Sequence, residues 1–223
     1  MNDIFYTFTN KDDGNLAFHV EDLKESVIKN RTNLAKKYNF DLDKLYYMNQ
    51  VHGNNVKIID ENSPNLIDNC DGIITNLKES TLMVMVADCI PILLFDKTKG
   101  VIAAVHAGRN STFLKISEVA VNKMIEYFKC DVKDIEVILG PSIQKCCYEV
   151  SEELAQIVSN SFGKEFVDGR LIDLQGINKK LLSKLGVENI KISDICTKCS
   201  NKPYFSYRKD KSCGRFSGII GIM

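Results

Sequence analysis

The stretch from Thr81 to Thr112 limits what this chain can fold into more than any other part of it. It holds one apolar run, Leu82-Met83-Val84-Met85-Val86-Ala87-Asp88-Cys89-Ile90-Pro91-Ile92-Leu93-Leu94-Phe95. A polar turn, Asp96-Lys97-Thr98-Lys99-Gly100, leads to a second run, Val101-Ile102-Ala103-Ala104-Val105-His106-Ala107-Gly108. Apolar, β-branched runs separated by a polar turn ending in glycine predict two buried strands of one hairpin. With residues 96–100 as the loop, Phe95 faces Val101 and Cys89 falls opposite Ala107, leaving His106 one position out of phase. Pro91 cannot donate to a ladder and marks a bulge able to re-aim a side chain by one position. Cys89 and His106 are therefore expected to meet at one end of the hairpin, with the Asp88 carboxylate next to the thiol.

The remaining pattern mixes strands and helices. Strands are predicted at 4–9, 44–50, 56–59, 72–75, 135–139, 171–173, 190–192, 205–207 and 216–220. Helices are predicted at 22–38, 112–128, 152–160 and 175–185, the second capped by Ser111 or Asn110. This mixture around a central hairpin favours an α+β fold over a regular parallel sheet. The 223 residues contain no repeat, low-complexity tract or linker and are read as one domain, 1–223.

Lysine plus arginine equals aspartate plus glutamate at 29 each, so no charge field points to nucleic acid or a membrane surface. No apolar run approaches the roughly 20 residues of a membrane span, and residues 1–7 lack a secretory pattern. A cytoplasmic monomer acting on small molecules is the expectation. In a reducing compartment its eight cysteines should be thiols or metal ligands. Histidine is scarce: His19, His52 and His106 are all there are.

A cysteine thiolate with two histidines is a ligand set for catalytic zinc, which leaves a fourth position open. His52, Cys89 and His106 each sit at a strand end or break, where function concentrates. On residue types alone, a core thiol and two ordinary histidines is the favoured reading. Elsewhere, Cys196-Thr197-Lys198-Cys199 has knuckle spacing with Cys213 following, but no fourth ligand is evident nearby. The adjacent Cys146 and Cys147 are not expected to hold one ion together, and Cys70 and Cys130 carry no pattern. The Gly108-Arg109-Asn110-Ser111 bend reads equally as an anion site or as an ordinary capped helix start. Arg31, Arg208, Lys209 and Arg215 are candidate phosphate partners.

Several strings together resemble one family. They are Asn30-Arg31, Gln50-Val51-His52-Gly53, Asp71-Gly72-Ile73-Ile74-Thr75, Ala87-Asp88-Cys89-Ile90-Pro91 and Val105-His106-Ala107-Gly108. Gly140-Pro141-Ser142-Ile143, Cys146-Cys147-Tyr148-Glu149-Val150, Asp173-Leu174, Cys196-Thr197 and Phe205-Ser206-Tyr207-Arg208 continue the series. The chain thus resembles the laccase-domain (YfiH-type) proteins, also called polyphenol oxidases or purine nucleoside phosphorylases, and in part peptidoglycan editing factors. The resemblance implies layers α/β/β/α with mixed sheets and zinc held by His52, Cys89 and His106, with copper possible at the same ligands. It also implies phosphorolysis of adenosine, inosine and 5′-methylthioadenosine, and deamination of adenosine. In this reading Asp88 orients a ligand or shuttles a proton, while Arg31, Arg109 and Arg208 contact substrate or phosphate. Where the family has Trp-Arg-Gly after His-Ala-Gly, this chain has Arg109-Asn110-Ser111. Where the family has Gly-Pro before the paired cysteines, it has Gln144-Lys145. Rival readings are a cysteine hydrolase, with Cys89 as nucleophile and His106 as base, that edits a peptidoglycan precursor, and a copper-dependent polyphenol oxidase.

Overall fold

A computed structural model describes residues 3–223. In chain order its elements begin with β1 (Ile4–Phe8), α1 (Lys24–Tyr38), β2 (Leu45–Met48), β3 (Val56–Ile58), β4 (Leu66–Ile67) and β5 (Gly72–Thr75). Then come β6 (Thr81–Val86), β7 (Ile90–Asp96), β8 (Val101–Ala107), α2 (Arg109–Phe113), α3 (Ile116–Phe128) and β9 (Glu136–Leu139). The last are α4 (Glu152–Ser161), β10 (Val167–Asp168), β11 (Leu171–Ile172), α5 (Leu174–Lys184), β12 (Asn189–Ile192) and β13 (Phe216–Ile222). One sheet runs β1-β13-β6-β2-β4, a second runs β12-β9-β7-β8-β5-β3, and β10 and β11 form a ribbon. Both large sheets mix parallel and antiparallel pairs.

Alternation of side chains along the strands sorts the interior into three layers. Leu82, Val84 and Val86 meet Leu93, Phe95, Ile102 and Ala104 between the two sheets. Ile90, Ile92 and Leu94 point the opposite way, packing with Ile116 and Val121 of α3, Val158 of α4 and Ile177 of α5. Met83 and Met85 turn outward from the first sheet to pack with Leu34 of α1. The result is the expected α+β fold, layered α/β/β/α. No helix among the described residues is long and apolar enough to cross a membrane.

The long apolar run corrects its own reading. It is not one strand of a hairpin but two strands in different sheets, β6 and β7. The chain turns between them at Asp88, a non-glycine residue with φ 88°. With both strands buried on both faces, the single Asp88 between them is the one mark of the corner, and no polar alternation or glycine accompanies it. The hairpin is therefore β7 to β8, with Asp96 paired to Val101 and Pro91 to His106. The loop is 97–100 rather than 96–100, because the buried Asp96 carboxylate accepts Lys99 N at 2.9 Å and tightens the turn. His106 then faces the inter-sheet layer opposite Pro91, and Cys89, two residues before Pro91, falls on the same side. No bulge is needed to bring them together.

Two further expectations change. The predicted helix at 112–128 is split into α2 and α3 by Lys115, which is left-handed at φ 58°. Gly108, not Ser111 or Asn110, is the N-cap of α2, and it makes no side-chain cap bond. The segment 205–207 is a turn instead of a strand: Lys209 N and Asp210 N donate to Ser206 O at 3.1 and 2.9 Å.

Leu93 is fully buried at the centre of the inter-sheet layer. Leu93→Ala should lower unfolding free energy by about 2–5 kcal/mol, since the rigid sheets on either side cannot collapse onto the void. Urea titration of parent and variant measures it.

Candidate active site

His52 lies in the loop after β2, Cys89 just before β7, and His106 near the end of β8. Their ligating atoms all fall within 4.8 Å of one another. The His52 and His106 rings stand edge to face, with centroids 4.7 Å apart and planes at 84°. His106 is buried, Cys89 is partly covered and His52 is exposed. The three sequence-predicted ligands therefore converge, with one open side.

The group that assembles them is Asp71, which the sequence reading had only as part of a motif. It is 0% exposed. Its carboxylate accepts Val51 N at 3.2 Å, His52 N at 2.9 Å and Gly53 N at 2.7 Å. The same carboxylate lies 2.8 Å from His106 Nδ1. Its backbone oxygen also accepts His106 N at 2.7 Å. With Nδ1–H donating to Asp71, the His106 Nε2 lone pair is left for an ion, the carboxylate–histidine arrangement common at metal sites. The same bonds hold His52 in a left-handed conformation, φ 59°. An aspartate directly before a buried strand, at a position where the strand needs no charge, was the signal available in the sequence.

Electrostatics tie the three together. Burial pushes the Cys89 thiol up, but the His106 charge and hydrogen bonds from both imidazoles prevail and lower it from 9.0 to about 6. Burial pulls His106 down, but Cys89 and Asp71 override this and raise it from 6.5 to about 9. Each group thus favours the charged form of the other, and a metal would compete with the imidazole proton. Burial also pushes Asp71 up, yet His106 and the Gly53 and His52 amides hold it below its usual range.

Gly108 closes one side of the trio. A Cβ there would lie 2.9 Å from Cys89 Sγ and 3.2 Å from His52 Cδ2. Asn110, one residue into the segment that departs from the family pattern, donates to His52 O at 2.6 Å and anchors that loop. On the open side the trio forms part of a cavity of about 550 Å³, with Gln50, Met85, Tyr207, Arg215 and His19 around it. Gln50 is fixed by paired bonds to the Met85 backbone, 2.8 and 3.0 Å. Burial, with the Arg215 and Arg31 charges, holds the His19 imidazole below its usual range.

The other predicted residues lie around this centre in different ways. Asp88 adjoins Cys89 in sequence, but its carboxylate accepts Thr197 Oγ1 and Arg208 N, both at 2.7 Å. The carboxylate bonded to a histidine of the trio is Asp71. Arg208 stacks over Tyr148 at 4.9 Å and donates to Glu149 O at 3.0 Å. Burial pushes the Tyr148 hydroxyl up, while the Arg109 and Arg208 charges pull it down. Arg31 is 6% exposed. Its Nε and Nη2 donate to Leu16 O at 2.9 and 2.7 Å, and its guanidinium sits 4.5 and 4.2 Å from the Phe18 and Tyr47 rings. It lines a smaller cavity that shares His19, Asn49 and Met85 with the main one.

The remaining cysteines hold a correction. Cys146, Cys147, Cys196 and Cys199 gather with all four sulphurs within 4.8 Å of one another. The third and fourth partners of the knuckle are the adjacent pair, brought in by tertiary structure. Cys213 is not in that group; its sulphur lies 3.9 Å from Arg215 Nη1.

Asp71→Asn should weaken metal binding about 10–100-fold, the usual cost of losing the carboxylate behind a histidine ligand. Gly108→Ala should displace the Cys89 sulphur and also reduce affinity, with the far-ultraviolet dichroism unchanged. Competition with a zinc indicator measures both. Arg31→Ala should cost about 1–3 kcal/mol of stability by leaving the buried Leu16 carbonyl unpaired, without lowering zinc content.

A purine nucleoside phosphorylase of Campylobacter jejuni is 35% identical over 181 residues, 81% of this chain and 78% of that protein. A purine nucleoside phosphorylase of Clostridium acetobutylicum is 37% identical over 188 residues, again 81% and 78%. The crystal structure of the hypothetical protein YfiH of Bacillus licheniformis superposes with a TM-score of 0.91 at 26% identity, covering 99% of this chain and 93% of that one. The family model described as multi-copper polyphenol oxidoreductase laccase matches residues 7–223. A match running from the first strand through the last, with the same fold in a solved relative, establishes that the chain belongs to this multi-copper polyphenol oxidoreductase laccase family.

Proposed function

We propose that the chain is a zinc-dependent purine nucleoside phosphorylase, with adenosine deamination as a second activity. Its substrates would be adenosine, inosine or 5′-methylthioadenosine with phosphate, giving the free base and the corresponding sugar 1-phosphate. The observation that carries this reading is the His52, Cys89 and His106 donor set opening onto a cavity of about 550 Å³. That volume lies within the common range for small-ligand pockets, about 300–1,000 Å³. The relatives named purine nucleoside phosphorylase supply the reaction class.

The residues fit an ion. Two imidazoles and a thiolate make a catalytic zinc set with a free fourth position. Asp71 presents His106 in the ligating tautomer, and the missing Cβ of Gly108 leaves the sulphur room. When bound, zinc supplies Lewis acidity to the substrate atom that takes that position. Arg109 and Arg208, the second stacked on Tyr148, would hold phosphate by charge-assisted bonds. Phosphorolysis forms a bond from a phosphate oxygen to the ribose C1′ and breaks the C1′ bond to the purine, which leaves with the electron pair. His19 lines the same cavity as Arg215 and would offer a donor and an acceptor to the nucleoside. Asp88 positions Arg208 and Thr197 through the two bonds its carboxylate accepts. Copper is compatible with the same donors, but an oxygen-reducing multicopper centre needs more imidazoles than the three in this chain.

One observation favours a second reading. Cys89, His106 and Asp71 line up as nucleophile, base and orienting carboxylate, the arrangement of a cysteine hydrolase. Such an enzyme would act on a peptidoglycan precursor.

Zinc-loaded protein incubated with adenosine should release adenine only when phosphate is present, and inosine with or without it. Both products should vanish in His52→Ala, Cys89→Ala and His106→Ala. Full activity in metal-free protein that alkylation abolishes would favour the hydrolase reading. Activity retained in Cys89→Ala would sink both.

A further inference from the structure

We propose that Cys146, Cys147, Cys196 and Cys199 form a second metal site, a closed structural zinc centre separate from the His52 trio. Two segments far apart in the chain are folded toward one point. On the first, Cys147 N and Tyr148 N both donate to Gln144 O at 2.9 Å, so the chain coils tightly enough for neighbouring cysteines to face one place. On the second, Ser200 N donates to Cys196 O at 3.0 Å and closes the turn that presents Cys196 and Cys199 together. An isolated parallel bridge, Ser142 to Cys196, joins the segments, and Thr197 N donates to Ser142 O at 3.0 Å.

The spacing suits a single ion. Four thiolates around zinc at about 2.3 Å stand about 3.8 Å apart along each edge of the tetrahedron. Cys146 and Cys199 sulphurs are 3.7 Å apart, and no pair in the group exceeds 4.8 Å. A disulfide needs about 2.05 Å. All-sulphur tetrahedral sets select zinc or an iron–sulphur cluster. A cluster puts several iron atoms between the sulphurs and spreads them wider than one ion does, so the compact spacing favours zinc. With four protein ligands no position remains for substrate, which makes the role structural.

That role reaches the candidate active site through Asp88. Thr197, between the two knuckle cysteines, donates its hydroxyl to the Asp88 carboxylate at 2.7 Å. Ile143, three residues before Cys146, donates its N–H to Asp88 O at 2.9 Å. Both cysteine-bearing segments therefore hold the left-handed corner that aims Cys89. An ion joining them fixes that corner from outside the reaction cavity.

The test is the zinc content of the full chain, purified under reducing conditions without chelator and measured by plasma mass spectrometry. The parent should hold about two equivalents per chain, and Cys146→Ser/Cys199→Ser about one. His52→Ala/Cys89→Ala should also hold about one, lost from the other centre. Equal zinc in the parent and Cys146→Ser/Cys199→Ser would overturn the proposal, as would a Cys146–Cys199 disulfide in peptides mapped from rapidly alkylated cells. Should the double serine variant fail to fold, cobalt loaded into His52→Ala/Cys89→Ala decides. A tetrahedral spectrum with strong thiolate charge transfer supports the site; a spectrum without sulphur ligation refutes it. None of these readouts depends on nucleoside turnover, so failure of the phosphorylase reading would leave them standing.

Discussion

The candidate site depends on one buried carboxylate. Asp71 has no contact with solvent, and a lone charge so placed would be far too costly to keep. Four donors make it tolerable: three successive backbone amides of the His52 loop and the Nδ1 of His106. The requirement runs in both directions. The charge needs those donors, and the donors can reach it only if the loop after β2 and the end of β8 come together. Satisfying one buried group therefore places two imidazoles beside a thiol.

Two of the seven non-glycine residues with positive φ among the described residues sit at the same place. His52 and Asp88 are both non-glycine residues with positive φ, one a member of the trio and the other directly before it. Such conformations persist only where surroundings over-determine them. For His52 the surroundings are Asp71 and the Asn110 side chain. For Asp88 they are Thr197, Arg208 N and Ile143 N. The corner at Asp88 is also the crossing between the two sheets. The fold thus places Cys89 where a strand begins, at the edge of the inter-sheet layer, with rigid sheets behind it and an open cavity in front.

Much of the fold was legible from periodicity. The strand at 72–75 and the helices ending at Tyr38 and near Ser161 fall within a residue or two of expectation, because amphipathic spacing and turn residues bound them. The run from Leu82 to Phe95 was misread because burial on both faces removes the polar alternation that marks a strand's end. The helix after Gly108 was misread because nothing in Leu114-Lys115 signals a left-handed residue. For the site, the residue types of His52, Cys89 and His106 left their convergence open, and the family resemblance implied it. Asp71 was passed over because a carboxylate's partners are set by distant chain segments, and so was the meeting of Cys146 and Cys147 with Cys196 and Cys199.

By itself the sequence determined which groups exist for chemistry: three histidines, eight thiols, balanced charge, and a core able to cover two sheets. It also determined the alternation that turns His106 inward, because strand geometry fixes side-chain direction to a period of two. Only the tertiary structure decided which carboxylate supports which imidazole, where the apolar run bends between sheets, and which cysteines become neighbours. Those outcomes rest on pairings between segments tens of residues apart, selected by the shared need to bury apolar surface and satisfy every buried polar group, a condition no local stretch of chain contains.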